Sequence, residues 1–138
     1  MSIAELYEDG ERRQDKSHFR NLVMIAKADG EISEEESALL DDIGQHLGLT
    51  NVVMKNIIKN PENYKINPPI SRVERFEQIV NLIQMVQADG KVDDAEMAIL
   101  ERIAVGIGYK DLDDVDVESI LALIVRGEDT EVIIEELL

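Results

Sequence analysis

The chain has 138 residues, one domain's worth by the usual length prior, and its 44% hydrophobic content excludes a disordered polymer. With no cysteine, a disulfide framework, a thiolate metal site and a cysteine nucleophile are all excluded. Lys plus Arg number 14 against 30 Asp plus Glu, a formal charge of −16, which argues against nucleic acid, whose phosphates need clustered bases, and against docking on anionic membrane.

In chain order, the opening residues Met1 to Asp9 are charged throughout and lack the apolar stretch of a signal peptide; Ile3 to Tyr7 is read as a short first helix. Apolar residues then recur at helical spacing. Phe19, Leu22, Val23 and Ala26 make one stripe, Leu39, Leu40, Ile43 and Leu47 a second, and Val53, Ile57 and Ile58 a third. After a Pro-bracketed stretch at about 60–70, read as non-helical and linker-like, Phe76, Ile79, Val80, Ile83 and Val86 make a fourth stripe. Ala98, Ile99, Ile103 and Ile107 make a fifth, and Val117, Ile120, Leu121 and Ile124 a sixth; Val132, Ile133 and Leu137 close the chain as a last short helix. Ser33/Glu36, Ser71/Glu74 and Asp93/Glu96 have capping-box form, and Gly48 and Gly108 fit left-handed helix ends. The expected fold class is all-α, a compact bundle of seven to eight helices in a single domain over 1–138. Apolar runs such as Leu22 to Ala26 are too short to cross a bilayer, so direct membrane insertion is not expected and a cytoplasmic location is.

The segment Ala28-Asp29-Gly30-Glu31-Ile32-Ser33-Glu34-Glu35-Glu36 returns sixty residues later as Ala88-Asp89-Gly90-Lys91-Val92-Asp93-Asp94-Ala95-Glu96. Asn21, Leu22, Ala38, Leu40, Ile43 and Gly48 meet Asn81, Leu82, Ala98, Leu100, Ile103 and Gly108 at the same offset. Two pseudo-symmetric helix-loop-helix repeats follow, at about 16–59 and 71–126, with Ile32 and Val92 expected to plug each turn into the core. Asp29 and Asp89 each sit at the negative end of a helix dipole, an unfavourable placement for a carboxylate. The spacing from Asp29 to Glu36 reproduces the back half of an EF-hand loop. The front half fails, because its ligand positions hold Ile25 and Lys27, or Met85 and Gln87. Two facing half-sites would instead supply Asp29, Glu36, Asp89 and Glu96, with Asp93 or the Ser33 hydroxyl beside them. This all-oxygen set prefers calcium, magnesium or manganese over zinc.

At these residues the chain resembles the TerB-like family, named for tellurite resistance, and the related N-terminal region of a DnaJ-like membrane co-chaperone. The shared signature is met from Met24 through Leu47-Gly48-Leu49 and again from Val86 through Ile107-Gly108-Tyr109. The resemblance implies an all-helical fold, an acidic surface that binds a divalent cation around the paired loops, and a role in stress-related or membrane-associated protein complexes rather than catalysis. It carries Asp29, Glu36, Asp89 and Glu96 over as the acidic positions, with Asp93 matching the polar cap. Lys91 and Ala95 stand where the first copy has Glu31 and Glu35, so the half-sites differ.

Competing readings stand beside this one. The carboxylates also serve as helix caps and Asx turns, which would leave a metal-free adaptor that binds a protein partner through its acidic face. An enzyme that activates water on a carboxylate-bound metal is disfavoured, since no Ser-His-Asp arrangement, phosphate-cradling loop or His accompanies the acidic motif. His18 and His46 have no matching partners in the other copy and are read as surface or partly buried side chains. Met24, Met54, Met85 and Met97 are read as core packing, the acids from Asp111 to Glu118 as a solvated helix start, and the C-terminal helix as docked on the bundle.

Overall fold

The computed structural model describes residues 10–138; the helix expected at Ile3 to Tyr7 lies outside them. Among the described residues there are seven α-helices and no strand: α1 (Gly10–Ala26), α2 (Glu34–His46), α3 (Asn51–Lys59), α4 (Arg72–Gln87), α5 (Asp94–Gly106), α6 (Val117–Val125) and α7 (Thr130–Leu137). None of them is long and apolar enough to cross a membrane. The chemistry of their ends explains the boundaries. Ser33, Thr50, Ser71, Asp93, Asp116 and Asp129 each precede a helix, and each accepts a bond from a first-turn N–H, a device worth about 1 kcal/mol apiece. Gly48 and Gly108 take φ of 78° and 122°, and the N–H groups of Leu49 and Tyr109 then fold back onto the carbonyls of Gly44 and Ala104 at 3.0 and 2.9 Å, closing α2 and α5. As a result α2 and α5 begin and end sixty residues apart.

Helices α1 and α4 pack on each other at the centre. Helices α2 and α3 lie on α1, α6 and α7 lie on α4, and α5 touches both central helices. Phe19, Leu22 and Ile25 of α1 and Ile79, Leu82, Ile83 and Met85 of α4 are fully buried there. Burying an aliphatic or aromatic side chain of this kind contributes about 1.5–3 kcal/mol. The C-terminal helix docks through Ile133, which is fully buried, against α4 and α6.

Three expectations are corrected. Val92 is 54% exposed, whereas Ile32 is partly buried against the core. The two loops differ at this point, since the Asp89 carboxylate accepts the Lys91 N–H at 3.0 Å and turns its loop locally. Ala98 is exposed, because the buried face of α5 runs through Leu100, Ile103 and Ala104. The stretch 60–70 is not a loose linker: it holds a 3-10 turn at Pro61–Asn63 and is tied to α1. The Asn67 N–H donates to Ser17 Oγ at 2.7 Å, Arg20 Nε donates to the Pro61 carbonyl at 3.4 Å, and Ile66 covers Gly106.

Gly44 is where α2 comes close to its neighbours. A Cβ built there would stand 2.1 Å from Met54 Sδ and 3.0 Å from a Phe19 ring carbon. Gly44→Ala is therefore expected to destabilise the protein by about 2 kcal/mol, as overpacking does, read as a lower urea midpoint at unchanged slope.

Candidate cation site

Helix α1 ends at Ala26 and α4 at Gln87, and each chain then turns at a positive-φ glycine, Gly30 (107°) or Gly90 (79°). Side by side, α1 and α4 deliver both turns to the same end of the bundle, and the first turn of α5 arrives between them. One carboxylate oxygen from each of Asp29, Asp89 and Glu96 lies within 4.8 Å of the others. Two oxygens bound to one calcium at 2.3–2.6 Å are at most about 5 Å apart, so these three fall within the span of a single ion.

Electrostatic conditions inside the cluster differ from residue to residue. Asp29 is exposed, Asp89 partly exposed and Glu96 buried, with 1% of its surface accessible. Its Oε2 is buried without a hydrogen-bond partner. Burial, reinforced by the charges of Glu36, Asp89, Asp29 and Asp93, raises its carboxyl to about 7. Desolvation disfavours the ionised form and like charges add to it.

Glu36, the counterpart of Glu96, is equally buried but differently employed. Its Oε1 accepts the Ser33 N–H at 2.8 Å while its own N–H donates to Ser33 Oγ at 3.1 Å, a complete capping box. Its Oε2 is again buried and unpartnered. Burial raises its carboxyl above the ordinary range, the Ser33 bonds oppose this, and Asp29 and Asp89 add to it. The second capping box is incomplete, since Asp93 Oδ1 accepts from the Ala95 N–H at 2.7 Å, one residue short of Glu96. Of the five expected site residues, Asp29, Asp89 and Glu96 form the close triad, while Glu36 and Asp93 are engaged as helix caps. Lys27, one of the two loop cations, donates to the Ile58 carbonyl at the end of α3.

The structure corrects the reading of His18 as a surface or partly buried side chain: it is 3% exposed. Its Nε2 bonds Asn81 Oδ1 at 2.9 Å, and burial lowers its pKa to about 4 despite that bond. His46 is exposed. The row of buried polar groups that includes His18, Asn21 and Asn81 goes beyond what the sequence reading identifies. Its one signal in the sequence is an Asn in the middle of each central apolar stripe.

Compared with family models, with curated proteins and with solved structures, the chain gives no match. What fold and site define together is, among the described residues, an all-helical bundle whose two turns and one helix start converge on a carboxylate triad.

Proposed function

We infer that this chain is an acidic, TerB-like helical module of two pseudo-symmetric halves that binds a divalent cation through its paired Ala-Asp-Gly loops. It acts in the cytoplasm by binding within a stress-related protein complex rather than by catalysis. The observation that carries this reading is the convergence of Asp29, Asp89 and Glu96 within 4.8 Å while Glu96 Oε2 is buried without a partner. A buried ionised oxygen with no donor is costly, and like charges about 4 Å apart repel by roughly 1 kcal/mol in water and about 4 at an effective dielectric near 20. A cation relieves both. Glu36 and Asp93 add negative charge that Glu96 feels. Oxygen donors alone favour calcium, magnesium or manganese over zinc.

The test is a set of melts in excess chelator and then in calcium, magnesium, manganese or zinc, repeated for Asp29→Asn with Asp89→Asn. At 100 times its dissociation constant an ion adds about 2.7 kcal/mol, and the doubly substituted protein is expected to lose that gain. One set of contacts favours a second reading, the metal-free adaptor: Ser33 and Glu36 form a complete box and Asp93 caps α5, so part of the acidic motif is accounted for by helix starts. If no ion shifts the wild-type midpoint more than that of the double variant, the adaptor reading stands.

A further inference from the structure

A different part of the molecule is built to accept hydrogen bonds. Two clefts of about 570 and 610 Å³ adjoin along the side of the bundle, sharing His46, Leu47 and Glu77. Asp42, Glu74, Glu77, Asp129 and Glu131 line them, and among the described residues no Lys or Arg does. Charge alone would be a weak argument in so acidic a chain.

The floor supplies the stronger one. Asn81 Nδ2 donates to Gln84 Oε1 at 3.0 Å, which turns Asn81 Oδ1 toward His18. His18 Nε2 therefore carries the proton, and Nδ1 keeps a lone pair. That Nδ1 is buried without a partner, in a side chain that lines the first cleft. The row continues into the second cleft, where Gln84 Nε2 donates to Thr130 Oγ1 at 3.1 Å. Leu39, Ile43 and Ile134 lie among the acids there, and Ile70, 88% exposed, stands at the far rim.

We propose that this double cleft docks a Lys- or Arg-bearing amphipathic segment of a partner protein. The cationic donors of that segment meet the acidic walls and the His18 Nδ1 acceptor, and its aliphatic side chains lie on Leu39, Ile43 and Ile134. The open, elongated trough with an apolar strip suits a chain segment, because a helix laid in a groove presents both kinds of side chain along one face. Electrostatic complementarity of this kind sets partner choice and association rate.

The probe is an acetylated, amidated peptide of Leu and Lys at helical spacing, labelled for anisotropy. It is titrated in excess chelator, so that the carboxylate triad is silent, and at about 0.15 M salt, where exposed charges are screened beyond about 8 Å. Saturable binding is expected, weakened about tenfold by Asp42→Asn with Glu77→Gln. The equally charge-neutralising pair Asp113→Asn with Glu118→Gln, both exposed elsewhere on the surface, should change it less than about twofold. In ¹⁵N spectra the amides of Glu77, Asn81 and Thr130 should move together with the His18 Nδ1 resonance. No saturation by about 1 mM peptide, equal loss in both variant pairs, or shifts scattered over the acidic surface would overturn the proposal.

Discussion

Glu96→Gln is expected to stabilise the cation-free protein by about 3 kcal/mol at about pH 8 and to leave it unchanged near pH 4.5. Burial and neighbouring carboxylates hold the folded carboxyl at about 7, above its ordinary 4.5. Between these values the native state keeps a proton that the unfolded chain gives up. Glu96 in its neutral form therefore supports the fold fully below pH 4.5, and the support is lost as pH rises through 7, at about 1.4 kcal/mol per pH unit. A glutamine side chain cannot ionise and escapes the loss. Urea melts of both proteins across this range, in chelator, read the difference directly.

The difference is the informative quantity, because His18 works in the opposite direction. Its pKa falls from 6.5 to about 4 on burial, so its contribution is present above pH 6.5 and disappears as pH falls through 4. In wild type the two effects partly cancel over the same window, and only the substitution separates them. Calcium at about 1,000 times its dissociation constant, which adds about 4.1 kcal/mol, should reverse the order at pH 8, since wild type gains an ion and the Glu96→Gln variant lacks a ligand. Variants equally stable at both pH values would mean that Glu96 reaches water and is not a strained group.

The second large effect lies in the core. Phe19→Ala is expected to cost about 3–5 kcal/mol, because the ring is fully buried and lies close to both Gly44 and Met54. Gly44 has no side chain to move into the vacated space, so collapse is limited and the cavity persists. Phe19→Leu, which keeps most of the volume, should cost less than half as much. Denaturant midpoints at unchanged slope check both.

These effects show what a linear sequence discloses and what it withholds. The ends of α2 and α5 are legible because a Ser or Asp before the helix and a glycine after it act within a few residues. The same locality makes the Asp-Gly turns readable at 29–30 and 89–90. Which of the acids converge is harder to read. Asp29, Asp89 and Glu96 meet because α1 and α4 lie side by side, a relation between residues sixty apart that no local signal encodes. Glu36 and Glu96 look alike in the sequence, yet the cap bond goes to Glu36 N–H in one copy and to Ala95 N–H in the other. The burial of His18 escapes the sequence for a related reason: it occupies a polar-looking turn of α1, and only the arrival of Asn81 from α4 provides the bond that allows it.

The segment between α3 and α4 does more than join them. With Ser17 gripping Asn67, Arg20 reaching Pro61 and Ile66 seated on Gly106, residues 60–70 work as a staple and not as a tether. Neither the segment before this staple nor the one after it is expected to fold alone. Fragments cut at this staple would each bare an oily central helix to water, whereas the intact chain should unravel in a single cooperative step.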